Sequence, residues 1–377
     1  MQQFKKIYVF QHFFDYFCVL QCYFCTIHMN KQSKKELTMN KLTKIGVSAL
    51  CGSLAAIASA HAGEMSVSGG ATATYTKLGY GDTGNPLGMA TGLTFTGSGE
   101  LDNGSTFTVT IAHDDQNAYS TSSIALTHPT MGKFTFDEGG GTGLDRIDDK
   151  MPTAWEETDG TGVGAGLQTV SGAGGSSDIE WTLPADMLPS GLSAYLSYAP
   201  KPDGSKAKDK AGGGDKGGNT NGAGWDLVIE HSELQDGLNV FAGYSTIQQG
   251  DGNLTTGDRN SRAIGATYAM GGITVGYQYS KDRLNDDSVS YYENNALGVS
   301  FSINDDLSVS FGQHKSDKSY VAGQGTNAEL EATSIQIAYT MGGASIKLAE
   351  TEVDNASYVT TTAGDKEGTT LALTLAF

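Results

Sequence analysis

From about residue 63 to the end of the chain, short stretches alternate between apolar and small or polar side chains. Examples are TFTVTIA (106–112), GITVGYQYS (272–280) and ALGVSFSI (296–303). An extended strand directs successive side chains to opposite faces, so each stretch has one apolar face and one small or polar face. Turn residues separate the stretches. The pattern predicts sixteen strands, at 66–77, 89–101, 105–113, 121–127, 133–137, 179–184, 191–199, 224–232, 238–247, 262–269, 273–281, 293–303, 307–315, 330–340, 344–352 and 368–377.

The connections between these strands alternate in length. Short turns containing Gly, Asn and Asp, which supply the positive φ of tight hairpins, are predicted at 102–104, 128–132, 184–190, 234–237, 270–272, 304–306 and 341–343. Long polar loops are predicted at 78–88, 114–120, 138–178, 200–223, 248–261, 282–292, 316–329 and 353–367. A soluble β-sandwich has no reason to separate loop lengths by end, whereas a barrel exported to an outer membrane keeps its turns inside and its loops outside.

The last ten residues, GTTLALTLAF (368–377), point to the same class of protein. Four apolar side chains there alternate with Thr and Ala, and the chain ends on Phe377. Such a strand meets lipid with one face and a wet lumen with the other, and its aromatic end lies at the interface. Backbone groups in lipid must all be paired within the protein, so the strand 368–377 is expected to close the barrel against 66–77.

Composition agrees with a barrel whose interior is wet. Hydrophobic residues make up 38% of the 377 residues, below the usual half, and 51 residues are Gly. No stretch after residue 62 has the ~20 apolar residues of a spanning helix. The fold class predicted is therefore an all-β transmembrane antiparallel up-and-down β-barrel of about 16 strands.

The start of the chain differs from the remainder. Met39 opens a segment with two Lys residues, an apolar run at 45–58 and an Ala60-His61-Ala62 cleavage site, which predicts a signal peptide at 39–62 and a mature start at Gly63. Residues 1–38 are interpreted as an extension from a mis-assigned upstream start, with a genuine extended signal region as the alternative. The barrel is predicted to occupy 63–377.

Charge and cysteine content exclude several classes of function. The net charge is −18, and residues 1–62 alone carry +5, which leaves −23 on the remainder. Nucleic acid is not an expected partner, because its binding requires bases that neutralise phosphates. All four Cys residues precede residue 63, so the main body has neither disulfides nor thiol chemistry. No cofactor is expected.

A signal peptide, sixteen alternating strands, a long third loop and a terminal Phe together resemble a Gram-negative general porin. The Met-Gly-Gly turns in AMGGITVGYQYS and TMGGASIKLAE are similar to those of the alphaproteobacterial (Rhodobacter-type) porins. The resemblance implies a homotrimer in outer-membrane lipid, with the third loop folded into each pore and passive passage of small hydrophilic solutes and ions. It also implies delivery by periplasmic chaperones and barrel-insertion machinery, with Phe377 as the assembly signal.

Loop 138–178 is the candidate functional segment, because long loops without regular structure are usually functional or disordered. Its apolar side chains, including Leu144 and Trp155, could attach it to the barrel wall. It has eight acids and two bases, a net charge of −6. The candidate constriction residues are Asp145, Arg146, Asp148, Asp149, Lys150, Glu156, Glu157 and Asp159. Asp145, Asp148 and Asp149 are also candidate calcium ligands, although their spacing is not that of an EF-hand. The alternative is a solvated acidic surface loop.

Side-chain alternation predicts which bases face the lumen. Lys347, Lys133 and His314 share the inward phase, Lys133 near a turn end. Because these wall bases are few and acid rings favour cations, weak cation selectivity is expected.

Catalysis has little support, since the His residues are scattered and no G-x-S-x-G stands at a strand–helix turn. A general diffusion porin is the leading hypothesis. A substrate-specific barrel channel is the second, and an adhesin or a barrel enzyme is the third.

Overall fold

The computed structural model describes residues 63–377, except 81–83, 116, 139, 176, 203–220 and 250–256. The signal peptide and the upstream extension predicted for residues 1–62 lie outside the described residues. Sixteen antiparallel strands form one closed barrel in which each strand pairs with its neighbours in sequence. They are β1 (Met65–Leu78), β2 (Leu87–Glu100), β3 (Thr106–Asp114), β4 (Asn117–His128), β5 (Gly132–Asp137), β6 (Asp178–Thr182), β7 (Leu192–Ala199), β8 (Asn221–His231), β9 (Leu238–Gln249), β10 (Arg259–Met270), β11 (Ile273–Arg283), β12 (Val289–Ser302), β13 (Leu307–Tyr320), β14 (Ala328–Met341), β15 (Ala344–Asp354) and β16 (Lys366–Ala376).

In the described part of the chain, short 3-10 helices interrupt three of the connections. They lie at Gly143–Ile147, Ala185–Met187 and Ala356–Tyr358. Among the described residues, no helix combines the length and the hydropathy that crossing a membrane requires.

The predicted closure of the barrel is confirmed. β1 pairs with β16 in a register that places Ala73 opposite Leu373. The pairing continues to the end of the chain, where Gly69 and Phe377 exchange two backbone hydrogen bonds of 3.0 and 2.9 Å. Gly69 also leaves room for the terminal ring, because a Cβ there would lie 3.1 Å from Cζ of Phe377. The final residue is thus part of the seam that closes the barrel.

Side-chain alternation along the strands separates an apolar outside from a polar inside. On β14, Ile335 and Ile337 are 59% and 41% exposed, whereas the intervening Gln336 is 1% exposed. Outward Leu371, Leu373 and Leu375 on β16 are likewise exposed. Apolar surface on the outside of a closed sheet matches a lipid environment, where the hydrophobic face is the outer one.

Two features differ from the sequence-based expectation. β4 begins at Asn117, so most of the expected loop 114–120 is strand, and Asp115 turns the chain with a φ of 50°. Several strands also extend further toward the loop end than predicted. On the outside there, charged pairs such as Lys315–Glu331 (2.8 Å) replace the apolar side chains. The period of two therefore continues above the apolar belt, where hydropathy alone no longer reveals it.

Candidate functional site

The third loop, residues 138–177, lies inside the barrel against the wall. Inward-facing glycines make room for it. A Cβ on Gly276 would lie 2.5 Å from Cδ of Pro152, and one on Gly298 would lie 2.8 Å from the Pro152 carbonyl oxygen. A Cβ on Gly312 would collide with the hydroxyl of Thr158. Since real Cβ atoms do not approach so closely, only glycine allows the loop to lie this close to β11–β13.

The two ends of the loop, near residues 143–144 and 173–174, are attached to the wall by buried carboxylates. Asp226 on β8 accepts backbone hydrogen bonds from Leu144 (2.8 Å), Ala173 (2.9 Å) and Gly174 (2.9 Å). Glu180 on β6 accepts one from Gly143 at 2.8 Å. These acceptors satisfy buried N–H groups that have no strand partner, which would otherwise be costly to bury.

An apolar cluster supports the same two ends of the loop. Leu144 and Ile147 are fully buried and pack with Val170 of the loop. Val228 and Phe241 of the wall complete the contact. The 3-10 helix at Gly143–Ile147 thus presents its apolar side chains to β8 and β9.

The middle of the loop, residues 155–161, is held by polar side chains of β14 and β16. Gln336 on β14 accepts backbone hydrogen bonds from Trp155 (3.0 Å) and Glu156 (3.1 Å) and donates to the Glu156 carbonyl (2.8 Å). On β16, Thr370 donates to the Thr161 carbonyl at 2.7 Å. The loop is therefore attached to the wall at its two ends and at its middle, and it follows the inner wall.

Both bases of the loop form ion pairs with the wall. Arg146 pairs with Glu180 and lies over the ring of Tyr195, 3.7 Å from its centre. Lys150 lies 3.0 Å from a carboxylate oxygen of Glu230. Each pair neutralises one loop base with one wall acid, so neither base is available to offset the carboxylates of the loop.

Three of the loop carboxylates, Asp149, Glu156 and Glu157, are exposed, and Asp145, Asp148 and Asp159 are half-buried. Burial raises the pKa of Asp148 to about 7, against a hydrogen bond from Thr169 that lowers it. The pKa of Glu157 is also raised, chiefly by its hydrogen bond with Asp149 and secondly by burial.

Burial also raises the pKa of Asp145 and of Asp159. A backbone hydrogen bond to each carboxylate lowers its pKa, but by less than burial raises it. It raises the pKa of Glu156 against the opposing effect of Lys347. The loop is thus a crowded group of acids, part of which is protonated near neutral pH.

The three expected wall bases occupy different places. Lys347 lies beside the loop, with its Nζ 5.7 Å from the centre of the Trp155 ring. His314 lines a small cavity together with Asp148 and Glu157. Lys133 is exposed at the turn end of β5 and pairs in register with Thr127 and Thr182. Only Lys347 and His314 therefore adjoin the loop.

The candidate calcium ligands are engaged within the loop. Asp145 accepts a hydrogen bond from the Gly141 amide at 2.7 Å, and Asp148 accepts one from Thr169 at 3.0 Å. Within the described part of the chain, no group of three or more Asp, Glu, His or Cys side chains has the arrangement of a metal site.

The inner wall at the middle of β2 and β3 is neutral. The inward positions in the middle of β2 and β3 are Thr, Ala, Gly and Ser, as the pairing of Thr94 with Ala112 and of Thr96 with Thr110 illustrates. The free part of the lumen thus lies between carboxylates on one side and uncharged hydroxyls on the other.

Sequence reasoning missed the wall acids that hold the loop. Glu180 and Asp226 each stand between two outward apolar residues, as Asp226 does in Trp225-Asp226-Leu227, and Glu230 follows the outward Ile229. The same alternation that predicts an inward Lys347 also predicts that these three acids face the lumen.

Comparisons with known proteins agree with this geometry. The model of the Gram-negative porin family matches residues 46–375. A search of curated protein sequences finds no significant match. Among solved structures, OmpF of Salmonella typhi in complex with daunomycin is similar, with 16% identity, a TM-score of 0.64, and coverage of 84% of this chain and 98% of that one.

Two further solved structures show the same fold. A trimer form of the Vibrio cholerae outer membrane protein OmpT has 11% identity and a TM-score of 0.60, with coverage of 84% of this chain and 100% of that one. An anion-selective porin from Comamonas acidovorans has 14% identity and a TM-score of 0.57, with 83% and 99% coverage. The closed barrel with its internal loop and the match over most of the chain lead to one conclusion: this protein belongs to the Gram-negative porin family and is an outer-membrane channel.

Proposed function

We propose that the channel is a general diffusion pore for small hydrophilic solutes and ions, with a weak preference for cations. The observation that carries this is the distribution of charge at the loop. Its two bases are held in ion pairs with wall acids, whereas the carboxylates of Asp149 and Glu156 are exposed, and Glu157 shares a proton with Asp149 through their hydrogen bond. Family and fold point to a channel rather than an enzyme.

In this proposal the loop carboxylates form the acidic side of the constriction and Lys347 is the principal opposing base. A permeating ion in a narrow lumen passes within a Debye length of these groups, ~8 Å at physiological salt, so screening leaves the preference in place. Acidic constrictions favour cations for this reason. His314 and Lys133 have secondary roles, since His314 lies behind the loop and Lys133 near the turn end.

The test is the reversal potential of single channels in a planar bilayer under a KCl gradient. Asp149→Asn, Glu156→Gln and Glu157→Gln combined should lower the cation preference, and Lys347→Gln should raise it. A matched control removes three carboxylates from the outer face by Glu329→Gln, Glu350→Gln and Glu352→Gln. An anion-preferring wild type, or equal reversal potentials for the two triple variants, would refute the proposed selectivity.

The same recordings separate a general from a substrate-specific pore. In a general pore, conductance rises in proportion to concentration for different small salts and sugars block little. Saturation with one solute class would show a specific channel instead.

We also propose that the protein is a homotrimer. β5 and β6 have only six and five residues. A strand needs about 9–11 residues to cross the hydrocarbon core, so this flank is poorly matched to lipid and is suited to contact a second copy. Outward Phe134 and Phe136 supply apolar surface there, and a related outer membrane protein has a trimer form.

The trimer is tested by light scattering in mild detergent and by unheated gels. Phe136→Asp should lower the mass to that of a monomer. Phe311→Asp is the matched control, because Phe311 is similarly exposed on the outside of β13 (41% against 45%). A wild-type monomer, or equal effects of both variants, would contradict the proposed interface.

Three proposals concern export and lineage. The signal peptide at 39–62 is removed before Gly63, which N-terminal sequencing of membrane-extracted protein tests. A mature end upstream of Met39 would show that residues 1–38 are translated and retained.

Periplasmic chaperones and the insertion machinery recognise the terminal strand through Phe377. The chain belongs to the alphaproteobacterial branch of the family, supported by its Met-Gly-Gly turns, and grouping with another branch in a phylogeny would refute this.

A further inference from the structure

Three bases are clustered on the outside of the barrel near its loop end. A cleft of about 340 Å³ there is lined by Arg262, Lys281 and Arg283 together with Tyr244 and Asn260. The strand register brings these residues side by side, since Arg262 on β10 pairs with Tyr244 on β9 and with Lys281 on β11. The cluster is unusual in a chain with a net charge of −18.

The arginines of this cleft are not neutralised by the described part of the protein. Lys281 pairs with Glu293 at 2.5 Å and lies over the ring of Tyr291, 3.6 Å from its centre. Arg262 and Arg283 are exposed, and neither takes part in an ion pair among the described residues. A base that faces a membrane without a counter-charge is costly unless an anion meets it there.

An apolar groove of about 650 Å³ lies directly next to the cleft. Its wall includes Ile229, Ile264 and Tyr277, which are 42%, 59% and 51% exposed on the outside of the barrel. Its floor includes the small side chains Ala242 and Ala266. The groove exists because alanines replace the large side chains that cover the belt elsewhere.

The cleft and the groove are stacked along the strands. Arg262 and Ile264 are successive outward residues of β10 and therefore lie about 7 Å apart. Arg262 is eight residues from Met270 at the turn end, about 26 Å along the strand at ~3.3 Å per residue and about 20 Å in height at a tilt of ~40°. Its long side chain can extend from there to the upper boundary of an apolar belt ~25 Å tall. Charge thus lies at headgroup depth and the groove at acyl-chain depth.

We propose that this face of β9–β11 is a binding site for a phosphate-bearing lipid of the leaflet on the loop side of the membrane. The phosphate is held by Arg262 and Arg283, whose guanidinium groups match its oxygens in a bidentate manner, and Lys281 adds a third positive charge. One acyl chain lies in the groove over Ala242 and Ala266. The outward face of β14 favours no such ligand near its loop end, because it carries the exposed acid Glu329, which is unsuited to a phosphate.

The test uses the full-length porin folded in detergent, with diphosphoryl lipid A as the probe and native mass spectrometry as the readout. Arg262→Gln with Arg283→Gln should weaken binding about 30-fold, from the usual contribution of a base at an anionic membrane surface. The matched control is Lys77→Gln with Lys315→Gln, which removes two outward bases elsewhere and should stay within twofold of wild type.

The groove is tested separately. Ala266→Trp fills it and should weaken lipid binding several-fold, whereas Ala73→Trp, on the outside of β1, should not. The retention of heat-modifiable mobility on gels shows that each variant is folded. If the double arginine variant does not fold, Arg262→Gln against Lys315→Gln decides, with an expected difference of about fivefold.

Several outcomes would overturn the proposal. Equal binding by the arginine variant and its lysine control would exclude a phosphate site in the cleft. Complete displacement of the lipid by inorganic phosphate, with no effect of Ala266→Trp, would assign the cleft to a free anion. Efficient disulfide cross-linking between copies that carry Ile264→Cys would show that a second chain, not a lipid, covers this face.

Discussion

Replacing Asp226 by Ala should release the two ends of the third loop, near residues 144 and 173–174, from the wall. The Asp226 carboxylate is 1% exposed and accepts three backbone hydrogen bonds, from Leu144, Ala173 and Gly174, at 2.8 to 2.9 Å. The Ala variant leaves all three N–H groups buried without this acceptor. The barrel strands do not depend on it, because β8 keeps its ladder with β7 and β9.

The magnitude follows from the number of bonds. A hydrogen bond to a charged group contributes about 1.5–3 kcal/mol, and three that share one carboxylate are not additive. A loss of about 3 kcal/mol in the free energy of opening the loop is therefore a conservative expectation. At 1.4 kcal/mol per tenfold change, the opened population rises about 100-fold.

Hydrogen exchange followed by mass spectrometry measures this directly. Peptides that cover 141–147 and 172–175 should exchange about 100-fold faster in the Asp226→Ala variant, while peptides from β12 and β13 keep their protection. Asp236→Ala, in an exposed turn, is the control and should change neither region. Unchanged protection of the loop in the folded variant would refute the anchoring role of Asp226.

Three further predictions concern the loop and the end of the chain. Because the pKa of Asp148 is raised to about 7, this group is charged above that pH and neutral below it, so cation preference should fall as pH drops from 8 to 6. Reversal potentials measure the step, which Asp148→Asn should abolish; a step only near pH 4 would contradict it. Gly298→Val should push Pro152 into the lumen and lower single-channel conductance, and an unchanged conductance would contradict the contact. Deleting Phe377 should reduce the yield of heat-modifiable protein far more than synthesis, since its two bonds to Gly69 close the seam; normal folded yields would argue against this.

The sequence alone determined the architecture because a barrel in a membrane is specified by local rules. Lipid outside and water inside impose a period of two on every strand, and hairpin turns require residues that tolerate positive φ. Strand number, strand order and closure followed from these rules. The pairing of 368–377 with 66–77 in particular followed from the need to pair every backbone group in lipid.

The loop ends of the strands were harder to predict from the sequence, for a related reason. Above the apolar belt the alternation is carried by charges, so hydropathy no longer separates the two faces. Lys281–Glu293 and Lys315–Glu331 continue the outward face there through ion pairs between adjacent strands. Recognising them requires the register, which the sequence does not state.

Only the tertiary structure decided how the loop and the wall meet. The path of the loop depends on contacts between residues far apart in sequence, such as Leu144 with Asp226 and Trp155 with Gln336. The close approach at Gly298 also depends on which strand faces Pro152. Arg146 could offset either the loop acids or the wall acid Glu180, and only the distance between the side chains shows that it pairs with Glu180. The charge balance of the loop therefore depends on packing and not on composition alone.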